Sequence, residues 1–487
     1  MAFWNRTKPI ESAHEDEGEH KLRKSLSWPH LIALGVGAIV GTGIYTLIGT
    51  GAGLAGPGVI LSFVIAGLVC VCAALAYAEM ATMIPASGSA YTYSYTVLGE
   101  FLAWIVGWSL ILEYTVVCSA VAVGWAGYAN GFLQSMGVHL PPWLASGWMA
   151  DHQLGQPFMF DAAKGLISLP AIFISFVVAG MLAAGTRESA TVNAILVVLK
   201  IAALVVFVAL ALPHFDASQF QPLMPNGFLA HDGVRPDGTV GKVGVMAAAA
   251  IIFFAFYGFD AVSTAAEEAK NPGRDLTIGI VGSMAVCTVL YMLIGAAALG
   301  AMPYMELAKS TEPLAAVLRS LGQDGAAAMI AAAAVIALPT VILAFMYGQS
   351  RIFFVMARDG LLPRGMSKVN ARTGTPVIMT FVTAIVVAVI AGVFPLGEIA
   401  SVANAGTLAA FIAVALCMMI MRIRDPNRPR VFKAPLWWVI GPVAILGCLY
   451  LFTSLSSLAQ TAFFVWNGIG LLVYFVYSMH ASRLAKG

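Results

Sequence analysis

Charge is what this sequence has least of. Asp, Glu, Lys and Arg make up 10% of its 487 residues against 60% hydrophobic ones, and the mean hydropathy is +0.87. Soluble domains carry roughly a quarter charged residues, so a soluble fold of this size is excluded. The 26 basic and 24 acidic residues nearly cancel, leaving a formal charge of +2 and no general attraction to nucleic acid. Cysteine is scarce and scattered: Cys70, Cys72, Cys118, Cys287, Cys417 and Cys448 each lie in an apolar run, with no histidine at zinc-ligand spacing. They are packing residues. The chain also lacks a phosphate-cradling glycine loop and a nucleophile–base set, so ATP-driven work, enzymatic chemistry, a metal and a cofactor are not expected. No cleavage-site pattern precedes the first apolar run, which is therefore expected to stay in the protein.

What is present is a succession of long apolar runs. A helix needs about 20 such residues to cross a hydrocarbon layer roughly 30 Å thick. By that rule spans fall near 31–54, 58–84, 100–130, 166–184, 193–213, 243–269, 276–300, 327–357, 376–394, 401–421, 436–456 and 462–480. The runs are continuous rather than alternating, which selects helices over a membrane barrel. Twelve crossings put both ends on one side. Twenty of the 26 Lys and Arg fall on that side, five on the other and Lys200 inside a span, so the termini are expected in the cytoplasm. The expected organisation is a cytoplasmic segment 1–30, a ten-helix core 31–421, a cytoplasmic loop 422–435, two peripheral spans within 436–480 and a cytoplasmic end 481–487.

Two spans are interrupted at depth. The first reads GVGAIVGTGI over 35–44, and the sixth reads FFAFYGFD over 253–260. Glycine there weakens the helix, and Asp260 is placed to cap the half that resumes after Gly258. The spans enter from opposite sides, so the breaks take corresponding places in two five-helix halves of opposite orientation. That arrangement suits an inverted-repeat transporter whose broken helices expose amides and positive dipole ends to an anionic group. The competing reading is that the glycines only permit close packing, as Gly67 and Gly127 do.

Ionisable groups at membrane depth are costly unless they are used or paired. Glu113 lies deep in span three, either receiving the positive end of a substrate or locking helices as a hydrogen-bonded neutral group. Lys200, about 10 Å into span five, either snorkels to the headgroups or sits in a dry cavity. In the second case gain and loss of its proton follow the opening of the site to each side. Glu79 and Asp260 are secondary candidates for gating or structure. Glu267 and Glu268 read mainly as surface electrostatics beside Asn271-Pro272-Gly273, where the helix is expected to end.

The stretches GVGAIVGTGIYTLIG (35–49), YAEMATMIPASGSAYTYSYTVLGE (77–100), ILEYTVVCSAVAVGW (111–125), FFAFYGFDAVSTAAEEAKNPGRDLTIGI (253–280) and YGQSRIFFVMARDGLLP (347–363) resemble the amino acid–polyamine–organocation superfamily, and within it the bacterial cationic amino acid transporter group. The resemblance implies an all-α integral membrane protein of LeuT type, with a 5+5 inverted repeat, twelve transmembrane helices and breaks in helices 1 and 6. It implies that Val40, Gly41, Thr42, Gly43 and Ile44 receive a substrate carboxylate, and that Phe254, Ala255 and Phe256 receive and cover its amino group. Glu113 then meets the side chain of a cationic amino acid, and Lys200 stands in for a sodium ion in proton coupling. Stretch 336–340 is expected to help set selectivity. The expected partners are L-amino acids, protons and membrane lipids, with no nucleic acid and a small membrane-protein partner left open. The expected activity is proton symport at the cell membrane by alternating access, with proton-independent exchange as the alternative and a channel as the more remote one.

Overall fold

The computed structural model describes residues 6–9, 27–84, 88–151, 161–184, 190–235, 238–256, 258–260, 262, 269–367 and 376–485. Its helices are α1 (Trp28–Ile39), α2 (Thr42–Tyr45), α3 (Leu47–Ala55), α4 (Val59–Met83), α5 (Ser89–Val97), α6 (Glu100–Ser135), α7 (Leu169–Ala183) and α8 (Ala190–Ala211), followed by α9 (Val245–Ile252), α10 (Pro272–Ala301), α11 (Tyr304–Lys309), α12 (Pro313–Ser320), α13 (Asp324–Arg358), α14 (Val377–Val393), α15 (Leu396–Arg424), α16 (Trp437–Thr453) and α17 (Ser457–Val473). Among the described residues, seven helical stretches are long and apolar enough to cross a membrane. Five shorter apolar helices, of 10–17 residues, accompany them: Trp28–Ile39, Leu169–Ala183, Val245–Ala255, Val377–Val393 and Trp437–Thr453. The chain is a multi-pass, all-α membrane protein.

One departure from the all-helical expectation is a hairpin, β1 (His231–Val234) antiparallel to β2 (Val240–Val243), between α8 and α9. It is four residues per strand and polar, which left no periodic signal in the sequence. Boundaries also move. The expected loop 422–435 begins later, because α15 runs on to Arg424, and α6 continues to Ser135. At 36 residues α6 is about 54 Å long, so it projects beyond the hydrocarbon.

Pro272 opens α10 at the first helical position, where no amide hydrogen is needed. The Asp275 carboxylate accepts from the Asn271 amide at 3.2 Å, and the Asp275 N–H donates to Asn271 O as the first helical bond.

The centre of the molecule is α6 packed on α13 and α15, with α1 and α4 against α10. Pro339 sits inside α13 and cannot donate to the carbonyl four residues back. That carbonyl, Val335 O, instead accepts from the Trp125 indole of α6 at 2.9 Å, so the proline defect becomes an interhelical tie. At the periphery Trp108 and Trp466 each donate an indole N–H to the other's backbone carbonyl at 2.8 Å, fixing α17 to α6.

Candidate functional site

The first interruption lies between α1 and α2. Val40 turns extended (φ −74°, ψ 96°), Gly41 follows at φ −151°, ψ −148°, and the helix resumes at Thr42. A second bend at Thr46 separates α2 from α3. Breaking a helix strands backbone groups that lipid cannot satisfy, and other helices supply the partners. Lys200 Nζ of α8 donates to Gly37 O at 3.1 Å, the Tyr291 hydroxyl of α10 to Ile39 O at 2.9 Å, and the Tyr128 hydroxyl of α6 to Tyr45 O at 2.5 Å. The carbonyls are therefore held. The N–H groups of Gly41, Thr42 and Gly43 find no acceptor among the described residues, and the buried Thr42 and Thr46 hydroxyls lack a partner there as well. An unfilled set of donors at a helix start suits an anion.

The second interruption follows α9. The chain tightens into a 3₁₀ turn over Phe253–Ala255, and Gly258 adopts φ +118°, a conformation that L side chains rarely accept. Asn404 of α15 donates to Ala250 O at 2.6 Å and Ile251 O at 3.1 Å, holding the end of the helical half. Asp260 Oδ1 accepts from the Gly258 amide, two residues before it, at 3.1 Å; most of the helical half it is expected to cap lies outside the described residues. Phe254, Ala255 and Phe256 are buried. The Phe256 ring stands edge-on to Phe63 and Tyr291 at 6.1 and 5.4 Å between centroids.

The two breaks touch. A Cβ on Gly43 would overlap the Ala255 backbone, and one on Gly258 would come within 2.8 Å of the Ala38 carbonyl carbon. Val40 and Ile44 are fully buried beside them.

Glu113 of α6 is buried at 2% exposure. Thr407 of α15 is its hydrogen-bonding neighbour, while Oε2 has no partner among the described residues. Gly406 leaves the room: a Cβ there would press on Glu113 Cβ at 3.1 Å. Asp260 lies in the neighbourhood of Glu113, and the Tyr114 hydroxyl donates to Asp260 Oδ2 at 3.3 Å. A buried carboxylate within a membrane span calls for a partner.

Lys200 does not snorkel. It is 1% exposed, and besides Gly37 O its ammonium reaches Thr340 Oγ1 at 3.2 Å. Stretch 336–340 therefore divides: Ile336 is 56% exposed on the outer face of α13, and Thr340 turns inward to the lysine. Glu79 stands apart from this group, paired through Oε1 with Arg422 Nε at 2.7 Å and Arg430 Nε at 3.1 Å. Glu267 and Glu268 lie outside the described residues.

A cavity of about 710 Å³ lies at the end that carries the hairpin, with Thr46 and Ile251 among its walls. Toward the other end Asp260, Tyr114, Ser89 and Arg351 line a space of only about 60 Å³. Thr407, Asn404, Tyr128 and Tyr291 escaped sequence reasoning. A lone hydroxyl, amide or phenol within a span is the signal each left, and that signal does not say which neighbour it serves.

Residues 26–478 match the family described as amino acid permease. The chain is 43% identical over 467 residues to the branched-chain amino acid permease BcaP of Bacillus subtilis (strain 168), covering 96% of each protein. It is 38% identical over 487 residues to the methylthioribose transporter of the same organism, covering all of both. With the vacuolar cationic amino acid transporter 4 of Arabidopsis thaliana it shares 35% over 427 residues, 87% of this chain and 67% of that one.

Proposed function

We propose, from the premise that this chain belongs to the amino acid permease family of the amino acid–polyamine–organocation superfamily, that it carries amino acids, cationic ones included, across the cell membrane by proton symport with alternating access. The observation that carries this reading is the seat of Lys200, whose buried ammonium is bonded to the carbonyl of Gly37 three residues before the helix break. A proton on that nitrogen holds the broken helix. Its loss leaves a neutral amine whose two N–H groups hold less strongly, so protonation and the shape of the site are one equilibrium.

In this mechanism the substrate carboxylate takes the free amides of Gly41, Thr42 and Gly43, flanked by Val40 and Ile44. The ammonium meets the unwound segment Phe254–Phe256, with Phe256 as the aromatic cover. Glu113, with Asp260 beside it, receives a cationic side chain. The seven long and five shorter apolar helices support twelve crossings in a LeuT-type 5+5 arrangement with cytoplasmic termini, which makes the 710 Å³ vestibule the outer one.

A second reading has neutral branched-chain substrates, favoured by the name of the 43% identical relative; Glu113 then serves as a neutral, hydrogen-bonded helix lock. The experiment is uptake of radiolabelled arginine and leucine into proteoliposomes under an imposed inward proton gradient without sodium. Accumulation abolished by collapsing the gradient supports symport, and the preferred substrate separates the two readings. Saturable exchange indifferent to the gradient overturns proton coupling.

A further inference from the structure

The vestibule wall holds a matched pair of opposite charges that no step above uses. Arg235, just after β1, and Glu398, in the first turn of α15, both line the cavity, with Nη1 3.0 Å from Oε1 and side chains 19% and 21% exposed. The second carboxylate oxygen accepts from the Ser456 hydroxyl at 2.7 Å. The same cavity is lined by Asn130, whose Nδ2 is committed to Ala145 O at 3.2 Å. Two polar atoms of opposite kind remain buried with no partner among the described residues: the donor Arg235 Nε and the acceptor Asn130 Oδ1.

The pair is not needed to anchor the hairpin. Gly244, directly after β2, donates to Leu54 O at 2.9 Å, the Asn226 side chain reaches the same carbonyl at 2.9 Å, and Lys242 pairs with Asp232 across the strands at 3.2 Å. Each side chain keeps a face open to the cavity, 19% and 21% exposed, where an incoming group of opposite charge can meet it.

We propose that Arg235 and Glu398 form a docking subsite for zwitterionic amino acids, occupied before the helix breaks. The incoming α-carboxylate takes the Arg235 guanidinium and the α-ammonium takes Glu398, so one ion pair is exchanged for two charge-assisted contacts and no charge is left unmatched. A simple amine or a simple carboxylate satisfies one partner and strands the other, and the vestibule rejects both. This subsite rests on the transport reading above and deepens it, adding a filter ahead of the central site.

The test is equilibrium binding of radiolabelled leucine to the purified full-length protein in nanodiscs. The expected result is two binding classes per chain, with the weaker displaced by other α-amino acids but not by isoamylamine or 4-methylpentanoate. Arg235→Gln and Glu398→Gln each weaken that class by about tenfold and leave the tighter one in place. A single class in the wild type overturns the proposal, as does a weak class indifferent to both substitutions or displaced by the amine alone. The exchanged pair Arg235→Glu with Glu398→Arg, which keeps both charges in the wall, controls for folding. Failure of the transport reading is distinct: the weak class persists while proteoliposomes take up no amino acid.

Discussion

The ammonium of Lys200 lies 3.1 Å from the carbonyl oxygen of Gly37, linking α8 to the last full turn before the break in the first span. Replacing Lys200 with Met removes the proton-binding nitrogen and leaves that carbonyl short of a donor, a loss of about 1.5–3 kcal/mol for a charged hydrogen bond. Gradient-driven accumulation is expected to fall by about ten- to a hundredfold, while counterflow between two pools of substrate, which needs no proton movement, persists. Loss of both to the same degree reduces Lys200 to a structural brace.

Glu113 offers a buried carboxylate oxygen with no partner among the described residues. If it meets a cationic side chain, Glu113→Gln lowers kcat/KM for arginine by about ten- to a hundredfold and hardly changes leucine. Competition between the two labelled amino acids reads this directly. Equal losses for both substrates make Glu113 a helix lock, the bland alternative its burial allows.

The helical class and the apolar segments were legible in the sequence because hydropathy over 20 residues is a local property. The bends at Val40, Gly41 and Gly258 were legible as glycine in an apolar context. What no single segment carries is pairing between distant ones. Tyr128 meets Tyr45, Tyr291 meets Ile39 and Asn404 meets Ala250, each joining two helices far apart in the chain. The direction of a side chain was equally hidden: Lys200 points inward although a lysine 10 Å deep has reach enough to snorkel, and the positions of Gly37 and Thr340 on two other helices decide it.

Gly43 and Ala255 are in backbone contact. Gly43→Ala forces the two broken helices apart at the site, and uptake is expected to vanish while the protein still reaches the membrane. Gly180, in α7, has open space where a Cβ would go. Gly180→Ala gains helix propensity of about 1 kcal/mol and should transport normally. Retained uptake in the Gly43 variant would show that the contact is not needed for substrate binding.

Glu79 is buried between two guanidinium groups. Arg422 Nη2 donates to its Oε2 at 2.8 Å and the Ala434 amide does the same at 2.8 Å, while the Nε contacts to Oε1 are ionic and less well aligned. Arg430, fully buried, also donates to the carbonyls of Met421, Asp425, Pro426 and Arg428. Glu79→Ala leaves two positive charges without their anion, a cost of about 3–5 kcal/mol for a broken buried pair. The expected outcome is a large drop in thermal stability, smaller for Glu79→Gln, with unchanged substrate preference in whatever folds. A change in preference without a loss of stability would instead make Glu79 part of a gate.

Glu312 precedes α12 on the loop that covers α6, its carboxylate set against Gly131 and paired with Arg319 Nη1 at 2.6 Å. Burial pushes its carboxyl above the usual range, and Arg319 only partly opposes this. A raised folded-state pKa means that the native protein holds this proton more tightly than the unfolded chain does. The resulting stability is full below the unfolded pKa, about 4.3, and is lost as pH rises through the folded value. Wild-type melting temperature in nanodiscs should therefore fall as pH rises across the acid range. Glu312→Gln, neutral at every pH, should remove that part of the slope. An unchanged slope in the variant would place the titrating group elsewhere, and a steeper one would mean that the Arg319 pair, not burial, governs the loop.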